Sequence, residues 1–207
     1  MWNPFRRKEK ALQQPASRGG WMSLISEPFA GAWQRNLEIK PTTVLSFHAV
    51  FSCISLIASD ISKMPLRLMR RDSNGIWKEN NNGTPARIYR RPNAFQNRMQ
   101  FFECWLNSKL CHGNTVVLKI RNTRGDITEL RILDWNKVTP LVADDGSVFY
   151  QINPDNMTGV DASVTVPARE VIHDRFNCLF HPLIGLSPIY AAGLAAMQGH
   201  HIQENSA

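Results

Sequence analysis

The stretch Leu110-Cys111-His112-Gly113-Asn114-Thr115-Val116-Val117-Leu118 (residues 110–118) changes from a helical pattern to a strand pattern within a few residues. Gly113-Asn114 accepts the left-handed backbone that closes a helix. The β-branched run that follows is typical of a strand. The stretch therefore predicts a helix that ends at Gly113, with a strand starting immediately after it. The predicted helix has an apolar stripe at helical spacing, formed by Met99, Phe102, Leu106 and Leu110.

Strands are predicted downstream at 115–120, 127–133, 138–142 and 148–152. Turn residues lie between them at 122–126 and 144–146, so neighbouring strands should pair antiparallel. Two shorter strands are expected at 164–166 and 171–173. The β region should end there.

A last helix is predicted from Ser187 onward. Ser187 is placed to cap it, and Pro188 takes the first helical position, where a missing amide costs nothing. One side of this helix would carry Tyr190, Leu194 and Met197.

A helix, a hairpin and a loop are predicted upstream of residues 98–118. The helix runs from Ser46 and is stopped by Pro65. Its apolar stripe consists of Val50, Ile54, Ile57, Ile61 and Met64, widened by Cys53 and Ala58. The hairpin turns at residues 72–75, and residues 79–97 should form a polar surface loop. The element order predicts the α+β class, with helices flanking a mainly antiparallel strand meander.

The chain of 207 residues carries a formal net charge of +7. Residues 1–40 hold seven Lys and Arg against three Asp and Glu, and predict a flexible basic arm ahead of an α+β region at 41–207. This arm is either a solvated tail or a contact for DNA or a partner. No apolar run suits a membrane span or a secretory signal, so we expect an intracellular protein. The four cysteines lie in apolar segments and are expected to be reduced and buried.

A hydrolase hypothesis would use Ser187 of Gly185-Leu186-Ser187-Pro188 as the nucleophile and His173 as the base. The match is poor, because a nucleophile elbow needs a glycine where Ile189 stands, and Pro188 lacks the amide that an oxyanion hole requires. Metal binding is not expected either: Cys104, Cys111, His112 and His200-His201 lack paired ligand spacing. No phosphate-cradling Gly-Lys-Ser/Thr loop is present, and no cofactor is predicted.

Basic residues interleave with aromatic residues at 87–91 and recur at Lys119 and Arg121. They could meet nucleic-acid phosphates, or they could be the polar faces of loops and strands. The pattern alone favours the second interpretation, since no recognised nucleic-acid module has this element order.

The ordered series of features resembles the portal protein family of long-tailed phages with lambdoid-style heads. The matching segments are Phe47 to Ile54 leading into Met64-Pro65-Leu66; Arg91-Pro92-Asn93 before an aromatic helix; Gly113-Asn114-Thr115-Val116-Val117; 171–175, which contains His173; and Gly185-Leu186-Ser187-Pro188-Ile189. Within these segments Pro65 and Pro92 fix turns, Gly113 and Gly185 permit a tight backbone and Ser187 caps a helix, which suits an architectural task and not an enzymatic one.

The resemblance implies the N-terminal (wing and body) region of a portal subunit. It implies a homo-oligomeric ring, usually of twelve subunits, at one capsid vertex. Its partners would be the terminase large subunit, the major capsid protein, head-to-tail adaptor proteins and double-stranded DNA in the channel, with no membrane. Its locations would be the virion and, during assembly, the bacterial host cytoplasm. A closed ring needs two different complementary faces on each subunit.

Members of the family are roughly twice as long as this chain, which we therefore expect to be a fragment or a degraded prophage product. Two alternatives stay open at this point. One is a basic nucleic-acid-binding module unrelated to portals, and the other is a hydrolase that uses Ser187 and His173. Salt-sensitive DNA binding would favour the first alternative.

Overall fold

A computed structural model describes residues 12–13, 45, 48–155 and 159–190 of the chain. The helices in these residues are α1 (His48–Lys63), α2 (Thr84–Arg90) and α3 (Arg98–His112). The strands are β1 (Leu12–Gln13), β2 (Met69–Arg71), β3 (Trp77–Glu79), β4 (Asn114–Arg121), β5 (Ile127–Leu133), β6 (Val138–Ala143), β7 (Val148–Ile152), β8 (Val164–Pro167) and β9 (Val171–Arg175). Single 3-10 turns at Trp135–Lys137 and Ala168–Glu170 lead into β6 and β9, and a further helix begins at Pro188.

The strands form antiparallel pairs divided among three sheets. One sheet has the order β5-β4-β9, a second has the order β1-β6-β7-β8, and the third consists of β2 and β3. The α+β class and the antiparallel pairing across the turns at 122–126 and 144–146 are confirmed. The structure adds that β5 and β6 belong to different sheets, because the 3-10 turn at Trp135–Lys137 redirects the chain between them.

The main core lies where the two larger sheets meet. It consists of buried residues from both sheets: Val116, Leu118, Leu133, Val138, Tyr150, Ile152 and Val171. A smaller cluster joins α1, α3 and the start of the last helix through Ile54, Leu110 and Ile189. Burial of apolar surface holds the two sheets together at the first cluster and the helices together at the second.

Local sequence signals set the ends of α3. Asn97 accepts a hydrogen bond from the backbone of Gln100, whose side chain accepts one from the backbone of Asn97, and this reciprocal pair caps the first turn. Gly113 closes the helix with a φ of 74°, as the sequence predicted.

The predicted loop at 79–97 is wrong in part, because residues 84–90 form α2. Pro85 lies in its first turn, where proline fits a helix. Ala86 and Ile88 are its buried side chains. A short polar helix of this kind lacks the repeated apolar period that sequence reasoning depends on.

The stripe expected to face the core is wrong in part on two helices, although Ile54, Ala58 and Leu110 are buried as expected. On α1 the buried line is Ile54, Ala58 and Ser62, while Ile57, Ile61 and Met64 are 40–55% exposed. Small side chains at 58 and 62 allow α3 to approach closely. On α3 the buried aromatic is Phe101 rather than Phe102, and Met99 is exposed.

The cysteines are free, but the expectation that they are buried is wrong. Cys53, Cys104 and Cys178 are exposed and Cys111 is half-buried. The predicted arm at 1–40 lies outside the described residues apart from the pair in β1, and Leu194 and Met197 of the predicted last helix also lie outside them.

Arg98 joins the ends of α1 and α3. Its guanidinium donates to the carbonyl oxygens of Ser62 (3.3 Å) and Met64 (2.9 Å), at and just beyond the C-terminus of α1. Helix C-termini leave carbonyls without intrahelical partners and carry partial negative charge, so a cation there satisfies both.

We predict that Arg98→Met, which keeps the length of the side chain, lowers the free energy of unfolding by about 1–3 kcal/mol. Arg124→Met, in the exposed turn after β4, is the control and should change it by less than about 0.5 kcal/mol. Chemical denaturation measures both, and an equal effect of the two substitutions would contradict the role given to Arg98.

Candidate functional site

Gly113 and Gly185 lie against each other where the end of α3 crosses the segment before the last helix. A Cβ atom at Gly113 would overlap the carbonyl oxygen of Gly185, and a Cβ atom at Gly185 would overlap the carbonyl oxygen of Gly113. Phe176 donates its backbone N–H to the Gly113 carbonyl at 2.8 Å. Only glycine at both positions permits this approach.

Asn114 fixes the crossing with its side chain, which is almost completely buried. Its Oδ1 atom accepts from the backbone N–H of Gly185 (2.8 Å), and its Nδ2 atom donates to the carbonyls of Gly185 (2.9 Å) and His112 (3.0 Å). His173 Nε2 lies 3.1 Å from the same Oδ1 atom. The buried amide therefore has partners on both its oxygen and its nitrogen.

These bonds determine the tautomer of His173. Since Asn114 Oδ1 is an acceptor, His173 carries its proton on Nε2 and donates it there. His173 Nδ1 must then accept from the hydroxyl of Tyr150, 3.0 Å away. Burial, assisted by the charge of Arg175, lowers the pKa of His173 to about 4, against the opposing effect of Asp174. The imidazole is thus a neutral link between β7, β9 and the crossing.

Ser187 is buried and joins α3 to the last helix. Its hydroxyl donates to the carbonyl of Leu110 (2.5 Å) and accepts from the backbone N–H of Ile189 (3.1 Å), which caps the helix that begins at Pro188. The bonds of His173 go to Tyr150 and Asn114. The hydroxyl and the imidazole are therefore not arranged as nucleophile and base, and the geometry gives the hydrolase alternative no support.

The Arg91-Pro92-Asn93 loop is held against β5. Leu130 donates its N–H to the carbonyl of Pro92 (2.8 Å), and Asn93 Nδ2 donates to the carbonyl of Leu130 (3.0 Å). Pro92 and Asn93 are buried, whereas the Arg91 side chain is exposed. Pro65 stands just after the end of α1 and is exposed.

Sequence reasoning missed a charged contact between α3 and β9, close to the crossing of Gly113 and Gly185. Asp174 accepts from Lys109 Nζ (2.8 and 3.0 Å) and from Trp105 Nε1 (2.8 Å), so α3 is bonded to β9. These partners lie 65 and 69 residues apart in the chain. No spacing rule for a single sequence connects positions at that distance.

The residues weighed as metal ligands are not brought together in the described part of the chain. Cys104 Sγ accepts from Gln96 Nε2 at 3.2 Å, and Cys111 packs against the smaller core cluster. Within the described residues no group of three potential ligands occurs, and His200-His201 lie outside them.

The resulting site is a set of buried hydrogen bonds and close backbone contacts, which defines an architectural protein module. The phage portal protein family model matches residues 48–207, so the chain belongs to that family. A comparison with curated protein sequences gave no match. None of the described helices is long and apolar enough to cross a membrane.

Solved structures with the same fold come from gene transfer agent particles. A chain of the neck of an empty particle, computed with C6 symmetry, gives a TM-score of 0.66 at 20% identity over 80% of this chain. A chain of the native neck, computed with C12 symmetry, gives 0.61 at 20% identity over 91%. A chain of the native virion gives 0.59 at 20% identity over 92%. The match covers 44% of each of those chains, so this chain spans less than half of their length.

We predict that Gly113→Ala destabilises the protein far more than Gly125→Ala. Both glycines have positive φ, 74° and 85°, but a Cβ atom at Gly125 meets nothing within 4 Å. Gly125→Ala should cost about 1–2 kcal/mol for the backbone alone. Gly113→Ala should cost about 2 kcal/mol more, because the Gly185 backbone must move. Similar unfolding midpoints in denaturant for the two variants would contradict the close approach.

We predict that His173 makes stability depend on pH. Its folded pKa of about 4 lies below the ordinary value of 6.5, so the unfolded chain binds the extra proton between these values. The contribution of neutral His173 is complete above pH 6.5 and is lost as the pH falls toward 4, by about 3 kcal/mol in total.

The measurement is the free energy of unfolding at several pH values within that window, for the wild type and for His173→Gln. The variant should be less stable at neutral pH and should show a shallower decline. Equal slopes for the two proteins would contradict the assignment.

Proposed function

We propose that this chain is the N-terminal part of a phage portal subunit. The complete subunit forms a closed ring at the unique capsid vertex and serves in DNA packaging, DNA passage and head-to-tail joining. Its location is the virion after assembly and the host cytoplasm before it. The observation that carries the proposal is the family match over residues 48–207.

The symmetry of the related particles supports a ring. The neck structures of similar fold were computed with C6 and C12 symmetry, and a ring of twelve subunits is compatible with both. The ring would have as partners the terminase large subunit, the major capsid protein, head-to-tail adaptors and the double-stranded DNA in its bore.

The surface of the described residues supports contacts between copies. Large apolar side chains are exposed along α1 and the β2–β3 hairpin, including Ile57, Met64, Leu68, Ile76 and Trp77, the last 62% exposed. Large apolar side chains left exposed on two neighbouring segments of the chain are typical of an interface. A two-stranded hairpin is also marginal by itself, so packing against a neighbouring copy would stabilise it.

We predict that the complete protein assembles into rings visible by negative-stain microscopy and native mass spectrometry. Trp77→Ser should reduce the fraction in rings and leave the circular dichroism spectrum unchanged, because the side chain is mostly exposed in the single chain. The matched control is Thr123→Ala, in the exposed turn after β4, which should leave ring assembly unchanged. A complete protein that stays strictly monomeric would overturn the proposal.

A further inference from the structure

Two groups of basic residues in the described chain differ in what they already bind. Lys119 and Arg121 on β4 are engaged: Lys119 Nζ donates to the carbonyl of Arg169 (2.8 Å), and Arg121 pairs with Glu170 at 2.7 Å. The hydrogen bond from Arg121 holds the pKa of Glu170 below its ordinary value, and the charges of Arg169 and Lys119 lower it further. Fixed in this way, these cations have little freedom to meet a ligand.

Arg87, Arg90 and Arg91, which we name the arginine face, are different. All three are exposed, and among the described residues none of them forms an ion pair with a carboxylate. Arg91 alone makes a side-chain hydrogen bond there, a long one of 3.4 Å to the carbonyl of Ala94.

The backbone holds the arginine face in place. Arg87 and Arg90 are one turn apart on α2 and both are exposed, and Arg91 is the C-cap. The next two residues, Pro92 and Asn93, are buried and bonded to β5. The guanidiniums therefore project from a short helix whose end is anchored to a sheet.

The segment of sequence around the arginine face carries charge of one sign only. Residues 80–102 contain four arginines and no Asp or Glu, and the fourth, Arg98, is bonded to the end of α1. Protein surfaces usually intersperse both signs. A segment of one sign fits best a partner of the opposite sign, and a duplex carries a negative charge about every 1.7 Å along its axis. Arginine also bonds phosphate oxygens with two parallel N–H groups.

We propose that the arginine face binds the phosphate backbone of double-stranded DNA. Contact with phosphates alone carries no sequence information, so DNA held in this way stays free to slide. The inference deepens the proposed function and rests on it for the choice of duplex DNA as the nucleic acid. The arginines also complement the dipole at the end of α2, but that role is local and does not require three exposed guanidiniums.

The test compares two variants of the full chain that lose the same charge. The first is Arg87→Gln/Arg90→Gln/Arg91→Gln. The control is Lys119→Gln/Arg124→Gln/Arg169→Gln, which removes three cations from the far end of β4 and its neighbouring turns. Fluorescence anisotropy with a labelled duplex of about 30 base pairs, at roughly 50 to 200 mM salt, gives the affinity and its salt dependence.

The first variant should lose at least about tenfold in affinity at the lowest salt, and its plot of log affinity against log salt should be shallower by about 3. The control should keep most of the wild-type slope. No binding by the wild type, an unchanged slope in the first variant, or an equal loss in both variants would overturn the inference.

Two further measurements keep the outcome clear. Should the first variant show a lower unfolding midpoint, the single reversal Arg90→Glu gives the same readout with less perturbation. A labelled poly-glutamate peptide replaces DNA in a second arm, and arginine-dependent binding of that peptide without arginine-dependent binding of DNA would overturn the inference in favour of an acidic protein. Ring assembly of the complete protein is measured separately, so rings without this DNA contact would remove the inference and leave the portal proposal standing.

Discussion

The contact between the backbones of Gly113 and Gly185 is the constraint on which the rest of the fold depends. Two segments 72 positions apart come closer than any side chain permits, and the buried amide of Asn114 bonds them on both its oxygen and its nitrogen. Ser187 then sets the start of the last helix against α3. A crossing of this kind fixes the angle between the helical pair and the sheets, because neither backbone can slide without breaking buried hydrogen bonds.

The polar groups nearest the crossing are occupied in holding it. His173 is kept neutral by burial and bonded on both nitrogens, and Asp174 is bonded to Lys109 and Trp105. Groups so committed stabilise a scaffold instead of reacting with a ligand. The surface shows the opposite arrangement, since exposed apolar side chains on α1 and the hairpin, and exposed arginines on α2, are directed outward. That division suits a subunit that is rigid inside and makes its contacts at its faces.

Much of the fold follows from local patterns in the sequence. The helix closed by Gly113, the strands at 127–133 and 148–152 and the cap at Ser187 all depend on neighbouring residues, and the structure has them where they were expected. The side of a helix that faces the core was harder to predict from the sequence. On α1, close packing selected the line with Ala58 and Ser62 over the more apolar line with Ile57 and Ile61, because small residues let α3 approach. The short helix α2 was not predicted, because its two buried residues are too few to show a helical period.

The individual residues of the site could be predicted from the sequence, but the contacts between them could not. Gly113, Asn114, Gly185 and Ser187 each stood out through turn or cap chemistry, yet nothing in their spacing showed that they meet. The partners of Asp174 and the tautomer of His173 are likewise properties of the folded chain. The sequence also does not show which basic residues are paired with carboxylates. In the fold Arg121 is paired with Glu170, whereas the arginines of α2 form no ion pair among the described residues.

The mutual exclusion at the crossing also has an evolutionary consequence. Because a side chain at either glycine meets the main chain of the other, no single substitution at one position is relieved by a substitution at the other. The two codons cannot drift apart through compensating pairs, as opposing core residues do when a large and a small side chain exchange places. Each glycine is therefore held by the main chain opposite it, and the pair should outlast most of the surrounding sequence as lineages diverge.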